Sequence, residues 1–321
     1  MSEKKKKTQK QMIVISDEKH GLPYSKGLMA SSIMATGLSP SRAYKIAQMI
    51  EDYLRDNGIF AVTMEQLKTV AYEVLDSQVG EEYAQNYLKW QALAKLDRPL
   101  IILVGGTTGV GKSTIASEVA HRLGLTRIVN TDSIREVMRA MLSKQLMPAI
   151  YNSSFDAWKS LRVPLPKTTD PVIIGFREQA AAVIVGIRAI IDRAIREGTS
   201  MVIEGVHLIP GAIDSQFGGN AFVMHLIIGV EDENMHRSHF YIRGIETEGT
   251  RPFQRYRENF GNIRRIGQYI EGLAAEHGVP VIMSYDLDVA VSAVLEEVIK
   301  RVMAPPEESK VKRIAESRVK E

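Results

Sequence analysis

Eight consecutive residues, Gly106-Thr107-Thr108-Gly109-Val110-Gly111-Lys112-Ser113, fit the pattern G-x-x-x-x-G-K-[ST]. Glycines at these positions let the backbone curl until successive N–H groups point at phosphate oxygens. The lysine then reaches the outer phosphates and the hydroxyl ligates Mg²⁺. ATP and Mg²⁺ are thus the expected nucleotide and metal. Lys112 is expected on the β- and γ-phosphates and Ser113 on the metal, with Thr114 completing the phosphate contacts in the first helical turn. The helix that opens there adds the positive end of its dipole.

Two carboxylates fall where an α/β fold collects its chemistry, beyond the carboxyl ends of strands. Asp132 follows the apolar stretch Arg127 to Asn130, and Glu204 ends the run Met201-Val202-Ile203. One carboxylate there can hold a Mg²⁺ water, and one beside an acceptor hydroxyl can take its proton. Asp132 has a simpler alternative role as the N-cap of a helix from Ser133. A carboxylate at the end of a buried strand, as expected for Glu204, needs a partner, which favours the metal.

Between His236 and Arg265 stand seven arginines and no lysine: Arg237, Arg243, Arg251, Arg255, Arg257, Arg264 and Arg265. The planar guanidinium fork suits phosphate and carboxylate oxygens. Gly244 and Gly249-Thr250 break the segment as a mobile lid would. Arg251 and Arg255 are the expected lid contacts to ATP, Arg251 also as a catalytic charge. Arg135 and Arg139, four apart after Asp132, share a helix face able to grip an anionic acceptor. His207, three residues after Glu204, is a further candidate acceptor contact. Tyr151 to Trp158, aromatic and polar without a strong period, reads as an acceptor-side loop.

The elements that must position these groups alternate from Leu100 onward. Leu100 to Val104 is continuously apolar, as a parallel strand buried on both faces requires. Helices are expected at Ser113 to Leu123, Ser133 to Gln145, Gly175 to Glu197 and Phe260 to His277. Strands are expected at Arg127 to Asn130, Ser200 to Glu204, Phe222 to Gly229 and Val279 to Met283. This is the texture of an α/β fold, a doubly wound parallel sheet. Before it, residues 11–96 read as a small, mainly helical module. It holds a short strand at Met12 to Ile15 and helices at Lys26 to Thr36, Ser41 to Asn57, Met64 to Gln78 and Glu81 to Leu96. The expected domains are therefore 11–96 and 97–304, flanked by a disordered basic tail, 1–10, and a charged tail, 305–321.

Composition bounds the rest. With 321 residues, 45% hydrophobic and 25% charged, the chain suits two soluble domains. No apolar run approaches the roughly 20 residues that span a bilayer, and the lysine-rich start is not a secretory signal. The absence of cysteine excludes disulfides and thiolate metal sites. A cytoplasmic address is expected, with no membrane partner. The net charge of +3 comes from the first ten residues, where five lysines face one glutamate. The body of the chain is close to neutral, which argues against a nucleic-acid partner.

Three blocks, GGTTGVGKSTIASEVAHRLGLTRIVNTDSIREVMR, MVIEGVHLIPG and GTRPFQRYRENFGNIRRI, resemble archaeal 2-phosphoglycerate kinases, with the likeness running from about Leu100 to Lys300. The resemblance implies transfer of the γ-phosphoryl of ATP to the 3-hydroxyl of 2-phosphoglycerate. The product, 2,3-bisphosphoglycerate, would feed cyclic 2,3-diphosphoglycerate. It further implies Asp132 at the acceptor hydroxyl, Arg251 in the lid and Ser284 to Asp288 against adenine. The first segment resembles an ATP-cone through GLPYSKGLMASSIMATGLSPSRAYKIAQMIEDYLRDNG and EEYAQNYLKWQAL. There the usual phosphate-touching Lys-Arg-Asp-Gly is replaced by Asp17-Glu18-Lys19-His20-Gly21, so the resemblance implies the shape and leaves nucleotide binding by this domain open. From the residues alone, a kinase of another phosphorylated acceptor, such as a polyol phosphate or a nucleoside monophosphate, stays open. So does a nucleotide-sensing regulatory ATPase. The oligomeric state is not legible.

Overall fold

The computed structural model describes residues 12–16, 21–93, 96–213, 219–246 and 253–303. Both expected tails, the segment Asp17 to His20 and Arg251 lie outside them. The chain divides into two compact units, Met1–Asp97 with Ser117–Arg127, and Arg98–Ala116 with Ile128–Glu321.

In the first unit β1 (Val14–Ser16) pairs antiparallel with β2 (Gly21–Pro23) and parallel with β3 (Ala61–Thr63). Helices α1 (Lys26–Met34) and α2 (Pro40–Asp56) precede β3, and α3 (Met64–Val79) and α4 (Glu81–Leu93) follow it. Local chemistry sets the boundaries. Pro40 occupies the first helical position of α2, where its missing N–H costs nothing. Thr63 caps α3 in a reciprocal box with Gln66. Ile13, Ile33, Ile50, Leu54, Val62 and Leu75 form a common core.

The second unit holds five strands: β4 (Leu100–Gly105), β5 (Ile128–Asn130), β6 (Met201–Glu204), β7 (Phe222–Gly229) and β8 (Val281–Met283). Their order is β5-β6-β4-β7-β8, and every neighbouring pair is parallel. From β4 the chain winds to one side through β5 and β6, then to the other through β7 and β8. This is a doubly wound sheet with its order reversing beside β4. The helices after β4 are α5 (Lys112–Arg122), which is divided between the units at Ala116, α6 (Thr131–Met141), α7 (Pro171–Arg196), α8 (Glu233–Glu246), α9 (Phe253–Glu258), α10 (Phe260–His277) and α11 (Leu287–Met303). Two 3₁₀ turns, Pro148–Tyr151 and Ser154–Ser160, join α6 to α7. Ile101 and Leu103 enter the core built by α7 and α10. Ile102 and Val104 point the opposite way and are equally buried, so both faces of β4 are covered.

Helix α7 starts at Pro171, four residues before the expected Gly175, because Asp170 accepts from the Val172 N–H and Pro171 suits the first turn. Helix α6 starts at Thr131, and its cap is Asn130, whose Oδ1 accepts from the Asp132 N–H at 2.7 Å. Asp132 is therefore not the N-cap, and its carboxylate is released from that role.

Candidate functional site

Strand register assembles the site. Asn130 on β5 and Val104 on β4 both stand opposite Glu204 on β6, at the carboxyl edge of the sheet. The next residues on β4 are Gly105 and the phosphate-loop pattern. Glu204 is almost wholly buried there, and its Oε1 accepts from Ser113 Oγ at 3.0 Å and from Asn130 Nδ2. A hydroxyl and a carboxylate brought together beside the loop are hard oxygen donors, the set a Mg²⁺ ion prefers.

The loop is held from outside itself. Thr107 Oγ1 donates to Ile263 O at 2.9 Å, and His236 Nε2 and His239 Nδ1 donate to the carbonyls of Thr108 and Gly109 at 2.8 and 2.9 Å. These histidines stand one turn apart on α8. Burial pushes His236 down to about 4, so its ring is neutral. Gly109 has φ +87°, and a Cβ there would meet Phe240 Cζ at 2.3 Å. Lys112 is buried, and its Nζ donates to Thr107 O at 2.6 Å. Burial pulls its ammonium below the usual lysine range, while the Glu204 and Asp132 carboxylates act to raise it. A cleft of about 390 Å³ opens beside the loop, lined on one side by Gly109 and Gly111 to Ile115. Its other walls are Met235, His239 and Ile242 of α8 and, from the segment after β8, Ser284, Tyr285 and Leu287.

Asp132 and Arg135 sit on the first turns of α6, 3.5 Å apart, with the aspartate more than half exposed and the arginine mostly buried. Arg135 also donates to Asn152 O, in the segment between the two 3₁₀ turns. Arg139 pairs with Glu136 and lies over the Tyr151 ring. Arg255, expected against the nucleotide, does not line the cleft. Its guanidinium donates to Ser153 Oγ at 2.8 Å, approaches Asp156 Oδ2 at 3.4 Å and lies over Phe155. It is engaged with the 3₁₀ segment instead. Arg264 is tied to the carbonyls of Val230 and Glu231 beyond β7, a structural task.

His207 departs from its expected role. The ring is fully buried, accepts from Thr131 Oγ1 at Nδ1 and donates to Gln179 Oε1 from Nε2. With both nitrogens occupied inside the core it presents nothing to a small acceptor. Asn130, Thr131, Gln179, His236 and His239 also take part, and most of them carry no mark in the local sequence. The i, i+3 pair His236-His239 is the one with a readable signal, two ring donors on one helix face.

A phosphate loop at the switch point of a parallel doubly wound sheet, with a buried lysine and a serine–carboxylate pair beside it, defines a P-loop phosphotransferase. No protein-family model matches the chain. The chain is 42% identical over 286 residues to a 2-phosphoglycerate kinase of Methanothermobacter thermautotrophicus, covering 89% of this chain and 93% of that one. It is 38% identical over 291 residues to those of Methanopyrus kandleri, covering 91% of this chain and 88% of that one, and of Pyrococcus furiosus, covering 91% and 94%. The chain belongs to the 2-phosphoglycerate kinase family. Among solved structures, a shikimate kinase from Acinetobacter baumannii overlaps 66% of this chain and 97% of its own at a TM-score of 0.38 and 14% identity, too slight a likeness to bear on function.

Proposed function

We propose that this protein transfers the γ-phosphoryl group of ATP to the 3-hydroxyl of 2-phosphoglycerate, giving 2,3-bisphosphoglycerate and ADP. The observation that carries the reading is the convergence of Ser113, Glu204, Asn130 and Asp132 at the edge of the sheet beside the phosphate loop. It supports a metal-holding pair, Ser113 and Glu204, with the exposed Asp132 carboxylate on the adjoining first turn of α6. The loop N–H groups and Lys112 would hold the triphosphate, and Ser113 and Glu204 would hold Mg²⁺. The ion, when bound, neutralises charge on the phosphoryl oxygens. Asp132 takes the proton from the 3-hydroxyl as its oxygen forms a bond to phosphorus, and the bond from phosphorus to the β,γ-bridging oxygen breaks to release ADP. Arg135 and Arg139 on α6, joined by Arg255 on α9, whose fork reaches the 3₁₀ segment, supply cations for the acceptor's phosphate and carboxylate. In the nucleotide cleft, Ser284, Tyr285 and Leu287 border the base.

The test is initial-rate kinetics with 2-phosphoglycerate, 3-phosphoglycerate, glycerate and AMP, with products followed by NMR. The expected result is 2,3-bisphosphoglycerate from 2-phosphoglycerate, with 3-phosphoglycerate binding but reacting poorly because its hydroxyl and phosphate exchange places. Preference for AMP would move the reading to nucleotide kinases. Preference for glycerate would show that the arginines do not read the acceptor's phosphate.

A further inference from the structure

Three polar side chains that take no part in the chemistry above, Thr131, His207 and Gln179, link through hydrogen bonds to Arg135 under the acceptor side. Thr131 Oγ1 donates to His207 Nδ1 at 2.8 Å, and His207 Nε2 donates to Gln179 Oε1 at 3.1 Å. Gln179 uses its amide N–H groups on Ala149 O and Asn152 O, at 2.7 and 2.9 Å. Arg135 NH1 reaches the same Asn152 carbonyl and closes the ring back onto α6, four residues after Thr131. Because the amide nitrogen of Gln179 is occupied by carbonyls, its oxygen can only accept. That fixes the Nε2–H tautomer of His207 and leaves Nδ1 to receive the Thr131 hydroxyl.

The circuit is built rather than incidental. Thr131, His207 and Gln179 are each fully buried. Gly205 approaches Thr131 so closely, with φ +149°, that a Cβ on it would stand 1.8 Å from Thr131 Oγ1. Buried polar groups are costly unless satisfied; the side chains of Thr131, His207 and Gln179 all have partners, and such a set rigidifies what it joins. Asp132 lies between the two α6 anchors of the ring, Thr131 and Arg135.

We propose that Thr131, His207 and Gln179 are positioning residues for the acceptor: an uncharged buried circuit that holds Asp132 and Arg135 in register with the turn at Asn152. The proposal rests on the reading of α6 and this turn as the acceptor side. It assigns the three residues to acceptor geometry and separates them from nucleotide binding, which falls to the phosphate loop and the cleft beside it.

Thr131→Val keeps the shape and removes the hydroxyl; Thr131→Ser keeps the hydroxyl. We expect Thr131→Val to lower kcat/KM for the acceptor about tenfold, the scale of one lost buried hydrogen bond and its stranded partner. The KM for ATP should stay within about twofold of wild type, and Thr131→Ser should restore acceptor kinetics. A wild-type acceptor KM and kcat in Thr131→Val, parallel rises in both KM values, or no rescue by serine would overturn the proposal. Should the valine variant not fold, His207→Asn, which keeps an acceptor for Thr131 and loses the link to Gln179, is expected to show the same split to a smaller extent. Its failure to do so counts against the proposal equally.

An independent readout is ¹⁵N NMR of the imidazoles, with His207 assigned by its absence in His207→Asn. Burial pushes His207 down to about 4; Asp132 acts upward on it, and Arg135 and Lys112 downward. The ring should therefore remain the neutral Nε2–H tautomer at pH 5. A protonated ring or an Nδ1–H tautomer at that pH would overturn the circuit whichever acceptor reacts. Absence of turnover with 2-phosphoglycerate in wild type would instead be a failure of the proposed function, and the NMR result would still stand or fall alone.

Discussion

The two sides of the site in the second unit are built on opposite plans. The nucleotide side is one continuous stretch, Gly106 to Ser113, steadied by three hydrogen bonds between it and α8 and α10. The proposed acceptor side is gathered from α6, the 3₁₀ turns, α7, the segment after β6 and α9, and its charges pair with one another. A triphosphate is recognised largely by backbone N–H groups, and a short chain segment can supply all of them. A small acceptor with a hydroxyl, a phosphate and a carboxylate needs side chains from several directions, and only tertiary structure brings those together.

The largest expected effect falls on the nucleotide side. Lys112→Met should lower kcat on the order of 10²- to 10³-fold, the scale of losing one preorganised charge at a transition state. Burial already disfavours the Lys112 ammonium, so replacing it with an apolar chain of similar length should leave thermal stability equal or higher. Activity and stability would then move in different directions. A folded variant with near-normal turnover would break the assignment of this side, and a large drop in melting temperature would show the lysine to be structural.

Gly109→Ala should come next. Alanine at φ +87° is strained, and its Cβ meets Phe240, which stacks on His236 and Tyr256 at 5.2 and 4.8 Å. Either the loop or that aromatic stack must shift, at a cost on the order of 2 kcal/mol in stability. The KM for ATP should rise about tenfold, as the loop N–H groups lose their alignment. Acceptor KM should stay near wild type. Calorimetry and two-substrate kinetics together check this, and an acceptor KM that rises as far as that for ATP would dissolve the distinction between the sides.

The same difference explains what could be read from the sequence. The phosphate loop, the buried strand Leu100–Gly105 and the carboxylates Asp132 and Glu204 announce themselves through local spacing and strand ends. Asn130 does not, because an asparagine before a helix reads as a cap; here it caps α6 with its oxygen and holds Glu204 with its nitrogen. Gln179, deep within a 26-residue helix, has no local mark at all. β2 and β3 have three residues each, too few for alternation to show. The early start of α7 was legible, since proline favours the first helical position. Its place in an arginine-rich run points Arg255 to the nucleotide, whereas its partners lie about a hundred residues earlier in the chain.

Arg255 gives the smallest effect and the sharpest test of the boundary between the two sides. Its side chain is about half exposed, at 53%, so solvent weakens its pairing with Asp156, and Asp156 keeps Lys159 at 2.7 Å when the arginine is gone. Arg255→Ala should therefore cost little stability. Its fork faces the turn that also carries Asn152 and Ser153, and a surface cation contributing one charge-assisted contact to a bound anion is worth roughly 1 kcal/mol. That converts to about a fivefold rise in acceptor KM, with kcat and the KM for ATP close to wild type. Arg265→Ala is the control within the same run: its side chain is 56% exposed and stands as far as 4.0 Å from Asp170, so no measurable change is expected. If Arg255→Ala raises the KM for ATP and leaves the acceptor untouched, the arginine belongs to the nucleotide side when substrates are bound. The line drawn here between the two sides would then have to move to α9.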